Sequence, residues 1–167
     1  ITINSWQHVG YTWTGTTVAT QAIIYVNGAT IQYAVTINGS ALTDNVNSNA
    51  YIGALTGSSL PFPGYIAEVA VWNTVLTGVQ MLTLSKTGVR GIPLKIQTAN
   101  LISYWPLEDV ANAVSGDGVT FRDVFGSNPG TGGNGANNTG LTGTVGEPIS
   151  YFVHVDKNRG IGRGINH

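Results

Sequence analysis

An all-β fold with one short helix is the class this sequence predicts, and three observations carry it. Only 9% of the 167 residues are charged, and Gly, Asn, Thr, Ser and Val fill the gap, a composition of strands joined by polar, uncharged loops. Apolar and polar residues alternate with a period of two: Ile31, Tyr33, Val35 and Ile37 against Gln32, Ala34 and Thr36. Asn27-Gly28 separates two such runs, and both residue types tolerate the positive φ of a tight hairpin.

The elements follow in order. Residues 3–13 read as a strand that sets Val9, Tyr11 and Trp13 on one face, and a Gly/Thr-rich loop follows at 14–20. Strand 21–27 sets Ala22, Ile24 and Val26 on one side, and strand 30–37 follows the turn. Residues 38–49 form a polar loop, 49–54 a short strand and 55–63 a Gly/Pro loop. The nearly continuous apolar run 64–73 reads as a strand covered on both faces. Thr77 can cap a helix over 78–86, with Val75, Val79 and Leu82 at i, i+4, i+7 spacing and Gly88 as its stop. Residues 101–106 and 149–155 are further strand candidates. The Gly/Asn/Thr stretch 126–146 lacks the side chains of a core. Three regions result: 1–106, an irregular Gly/Asn-rich segment 107–148, and 149–167 with a final strand and a basic tail.

Three phrases give this order its meaning: Ser-Trp-Gln-His-Val at 5–9, Ile-Ile-Tyr-Val-Asn-Gly at 23–28, and Pro-Gly-Tyr-Ile-Ala-Glu-Val-Ala-Val-Trp-Asn at 63–73, leading into Leu-Thr-Gly-Val-Gln at 76–80. Their order and spacing over about 5–106 resemble the second half of a laminin-G-like or pentraxin-like domain of the concanavalin A-like superfamily. The resemblance implies a jelly-roll β-sandwich, incomplete at its N-terminal side. A full sandwich of this kind takes roughly twelve or more strands, against about seven candidates here. The missing strands would leave open edges that need a partner, so they are expected on a longer precursor or on another chain. Leu-Ile-Ser-Tyr-Trp-Pro-Leu at 101–107 would close the same sheet or open a second copy. A chain opening on Ile-Thr-Ile-Asn reads as a processed product or a fragment.

Function classes narrow next. A net charge of −1 sets up no field for nucleic acid, although no Lys or Arg precedes Lys86. Cysteine is absent, so disulfides and thiolate metal sites are excluded. No apolar run reaches the ~18 residues that span a bilayer. Some relatives in the superfamily are glycosidases, which carry paired carboxylates on one strand at set separations. This chain has eight acidic residues without that pattern: Glu68 stands alone on its strand, and Glu108-Asp109 would point to opposite faces. An enzyme is therefore not expected. Gly130-x-Gly132-x-x-Gly135 matches a dinucleotide fingerprint in form only, with neither strand before it nor helix after it. Asn38-Gly39-Ser40 and Asn137-Asn138-Thr139 are glycosylation triplets, meaningful only in a secretory setting.

Binding residues remain. Trp6, Trp13, Trp72 and Trp105 sit in strand candidates, where the core is the default; Trp13, at a strand end beside the 14–20 loop, is the best surface platform of the four. Tyr51 stands beside the Asx-rich loop holding Asp44, Asn45 and Asn47, which is either a calcium site or a set of turns. Asp44, Asn47 and Glu68 are the weak metal candidates. Glu68, in an apolar strand, needs hydrogen bonds, expected from loop amides, or else a metal or ligand. His8 is read as packed near the core. The leading expectation is a non-catalytic structural component on a virion or extracellular surface, such as a phage capsid decoration or fibre protein, with other subunits as partners. The alternative is a carbohydrate-binding, lectin-like adhesion module, with calcium as its possible cofactor and glycans as partners.

Overall fold

The computed structural model describes residues 5–40, 50–54, 62, 64, 66–86, 92–109, 116, 118–133 and 152–153. Strands β1 (Val9–Trp13), β2 (Ala22–Val26) and β3 (Ala29–Thr30) form an antiparallel sheet in chain order. The β2–β3 turn uses Asn27 at φ 51° and Gly28 at φ 78°, the pair of positive values a two-residue hairpin needs. Gly28 is required twice over. A Cβ there would lie 2.7 Å from the Cα of Leu82, because helix α1 (Gly78–Leu84) crosses this turn.

Period two continues past Thr30, but the strand does not. After Ile31 N–H donates to Ile24 O at 3.1 Å, the next partners on β2 are taken by a side chain. The Tyr33 hydroxyl accepts from Ile24 N–H at 2.9 Å and donates to Ala22 O. The main chain is thereby displaced from the ladder, and Val35 and Ile37 lie exposed. The segment instead reaches the 14–21 loop, where Asn38 Oδ1 accepts from Ala19 N and Gly39 N donates to Thr17 O. Residues 50–54 are irregular, with bends at 52–54, rather than the predicted strand.

The run 64–73 also divides. Strand β4 (Ile66–Ala67) pairs with β9 (Phe152–Val153), and β5 (Val69–Trp72) pairs antiparallel with β6 (Leu101–Trp105). Between β4 and β5 stands Glu68 at φ 57°, a left-handed kink that no period-two reading contains. Within the 107–148 segment, β7 (Thr120–Phe121) and β8 (Gly130–Thr131) form a two-stranded ladder.

Helix α1 begins where predicted. Gln80 N–H donates to Thr77 Oγ1 at 3.3 Å, and Gln80 Oε1 accepts from Thr77 N–H at 2.8 Å, a reciprocal cap. Its buried face, however, is Met81 and Leu84, with Leu76 just ahead of the cap; Val75, Val79 and Leu82 face outward, Val79 at 75% exposure. Two apolar stripes run along this segment, and spacing alone does not say which one turns inward. The core gathers Tyr25, Leu76, Met81, Leu84 and Ile92, with Ile23, Trp72 and Ile96 packed on it. Among the described residues, no helix is long and apolar enough to cross a membrane.

Candidate functional site

The register of β1 on β2 decides what each face of the first sheet carries. Gly10 lies opposite Tyr25 and Thr12 opposite Ile23, so these four share the face turned to the core. Gly10 is needed there: a Cβ would meet Met81 Sδ at 2.9 Å. The other face carries Val9, Tyr11 and Trp13 opposite Val26, Ile24 and Ala22. Both faces are therefore uncharged, and the second is largely open, with Tyr11 59% and Trp13 44% exposed. Trp13 is thus a surface residue and not part of the core. Its indole N–H donates to Thr16 O at 2.8 Å, which satisfies the polar edge and fixes the ring against the loop. That loop is braced by Thr14 Oγ1 donating to Gln21 Oε1 at 2.5 Å.

Tyr51 is exposed, at 46%. Asp44, Asn45 and Asn47 lie outside the described residues. Glu68 is buried, with 4% exposure, and accepts a hydrogen bond from the Tyr104 hydroxyl. The expected backbone-amide cradle is thus replaced, in part, by a phenol from β6. A calcium ion takes six to eight oxygens, and among the described residues no group of three His, Asp or Glu side chains comes together.

A cleft of about 420 Å³ lies between β1 and β5, with Leu76, Met81, Leu84 and Pro93 among its apolar lining. His8 and Glu68 are its buried titratable side chains. Burial pushes the His8 imidazole down to about 4, so the ring is neutral at pH 7. His8 N–H donates to Asn27 Oδ1 at 2.9 Å, which ties the cleft rim to the hairpin turn.

Asp123 is a key residue that reading the sequence missed. Its carboxylate accepts from the backbone N–H groups of Tyr104 (2.9 Å), Phe125 (3.2 Å), Gly126 (2.8 Å) and Asn128 (3.1 Å). Burial alone pushes this carboxyl up, but the hydrogen bonds from Tyr104, Gly126, Ser103 and Asn128 together outweigh it and hold it down at about 2. Trp105 Nε1 donates to Asn128 O at 2.7 Å and Asn128 Nδ2 to Ser103 Oγ at 2.8 Å, locking the same loop to β6. Asp109 is paired with Arg122. The signal available in the sequence was Asp-Val-Phe-Gly-Ser-Asn at 123–128, an Asx residue ahead of a Gly-containing turn.

Residues 1–80 match a laminin-G family model described as concanavalin A-like lectin/glucanases superfamily. Neither the curated proteins nor the solved structures searched contain a match to the chain. The matched segment spans the first sheet, its open aromatic face, the kinked β4–β5 run and the start of α1, all on an antiparallel all-β scaffold. The match over residues 1–80, together with antiparallel sheets and a single helix among the described residues, supports a laminin-G-like, concanavalin A-like all-β fold for that part of the chain.

Proposed function

We propose that this chain is a non-catalytic assembly component, bound to other protein subunits on the surface of a virion or an extracellular structure. The observation that carries this reading is the three-stranded sheet with two uncharged faces, one on the core and one open with Tyr11 and Trp13 on it. A half-exposed antiparallel sheet normally alternates apolar-in and polar-out; apolar residues on both sides suit a layer packed between two others. Open aromatics of this kind are frequent anchors of protein contacts. Three of the four described carboxylates support a non-catalytic reading through structural work: Glu68 with Tyr104, Asp109 with Arg122, and Asp123 with four backbone amides. The test is the native mass of the material as isolated, followed by the Tyr11→Ser and Trp13→Ser variants. We expect a fixed-stoichiometry assembly, weakened about 30-fold by each substitution, as anchors worth about 2 kcal/mol would give. A monomer at every concentration would refute it.

One observation favours a second reading. The Trp13 indole is fixed through its N–H, with its ring open to solvent, as a sugar-stacking platform would be. A calcium-assisted glycan site that combines Trp13 with the Asx-rich run Asp44, Asn45 and Asn47 and the Tyr51 beside it in sequence is the alternative. Glycan titration with and without a chelator tests it, and affinity unmoved by Trp13→Ser would remove Trp13 from that role.

A further inference from the structure

The cleft between β1 and β5 differs from an ordinary pocket in how the two strands line it. A cavity against the face of a sheet is lined by alternate residues, because successive side chains point to opposite sides. Here the lining residues are consecutive, 8–13 on one side and 68–72 on the other. The cleft is therefore bounded by the edges of the two strands.

The hydrogen-bond phase supports this independently. In an antiparallel pair, residues alternate between bonding the partner strand and pointing their N–H and C=O away from it. Asn27 N–H donates to His8 O, so Gly10 and Thr12 bond toward β2 while Val9, Tyr11 and Trp13 point away. On β6, Tyr104 spends its N–H on Asp123 and its C=O on Val124 N–H. Its partner Ala70 on β5 therefore also points away from the ladder, toward the cleft. Among the described residues, these outward backbone groups of Val9, Tyr11, Trp13 and Ala70 have no partner.

We propose that the cleft receives an extended segment of a partner polypeptide as an added β-strand, hydrogen-bonded to β1 on one side and to β5 on the other. The proposal rests on the assembly reading above and names how a partner engages. Polypeptide is the occupant because only a backbone offers N–H and C=O in step with both edges at once. It is a strand with small, uncharged side chains, since Leu76, Met81 and Leu84 line the cleft with the neutral His8, and Glu68, buried there too, already accepts from the Tyr104 hydroxyl. The two edges also lack the devices that blunt a solvent-facing strand: Val-Gly-Tyr-Thr-Trp and Val-Ala-Val-Trp contain neither a charge nor a proline. Filling the slot would join β3, β2, β1, the added strand, β5 and β6 into one continuous sheet.

Amide hydrogen exchange on the free chain and on the assembly as isolated tests this. The amides of Val9, Tyr11, Trp13 and Ala70 should exchange rapidly in the free chain and at least tenfold more slowly in the assembly, with Gly10 and Thr12 protected in both. Fast exchange of the four in an intact assembly would overturn the added strand and leave assembly through the aromatic face standing. Protection of the four in a monomeric free chain would place the strand within this chain and overturn the partner. A chain that never assembles removes both readings. Ala70→Pro deletes one cleft-facing N–H and leaves Tyr11 and Trp13 in place; assembly weakened tenfold or more with the fold retained agrees with the proposal, and undiminished assembly contradicts it.

Discussion

The edge of β2 that faces away from β1 and the edge of β1 that faces the cleft are built from similar chain, yet only the first is finished. Tyr33 closes the β2 edge with one hydroxyl that serves both a donor and an acceptor. In the second sheet, Asp123 does the same for β6 at Tyr104, and Val124 N–H completes the pair. Each sheet thus has its outer edge satisfied by local residues, and each leaves its inner edge, β1 or β5, on the cleft. An unmet backbone group is costly unless water or a partner meets it. The asymmetry therefore reads as a division between edges that end the fold and edges that continue it.

Acid separates the two regions, and the largest effect is expected in the first. His8 titrates near 6.5 when unfolded and near 4 when folded. Between those values the unfolded chain binds a proton that the folded one refuses. Its support is complete above about pH 6.5 and lost as pH falls to about 4, a loss of about 3 kcal/mol. His8→Gln should flatten a chemical-denaturation stability profile across that window; an unchanged slope would show that other groups cause it. Next comes Asp123, whose folded value is the lower of its pair, about 2 against 3.8. Its contribution is present above about pH 4 and lost as pH falls through 2. At pH 7, Asp123→Ala should cost about 2 kcal/mol, the scale of losing charge-assisted bonds in a partly solvated site, with the amides of 125–128 gaining the most exchange. A variant as stable as the parent would mean that water replaces the carboxylate without cost.

Local rules made part of this legible in the sequence. The Asn27-Gly28 turn, the Thr77 cap, β2 and β6 follow from residue type and period within a few positions, and β1 is shorter than the strand read over 3–13, beginning at Val9. The strand over 30–37 failed despite ideal alternation, because one of its own side chains, Tyr33, competes for the same partners on β2. The run 64–73 failed at Glu68, whose left-handed kink is held by a phenol 36 residues away. The helix face failed because two apolar stripes fit the same period. For the candidate site, Trp13 was legible as a strand end beside a polar loop. The bare edges were not, since an edge is defined by which strands pair, and β5 finds β6 across about thirty residues.

The smallest expected effect bears most directly on the comparison. Tyr33→Phe removes only the hydroxyl that closes the β2 edge, leaving the ring to pack. Ile24 N–H and Ala22 O then become like the groups of β1 that face the cleft: outward on an edge and open to water. Since the site is half-buried, the cost should be about 1 kcal/mol, the net worth of a typical hydrogen bond, seen as a shifted denaturation midpoint with an unchanged slope. Exchange at Ile24 should rise toward that of Tyr11 and Trp13. If Ile24 stays protected, the 31–39 segment has moved in to pair with β2, and the predicted strand over 30–37 is a conformation this chain adopts once the phenol no longer competes.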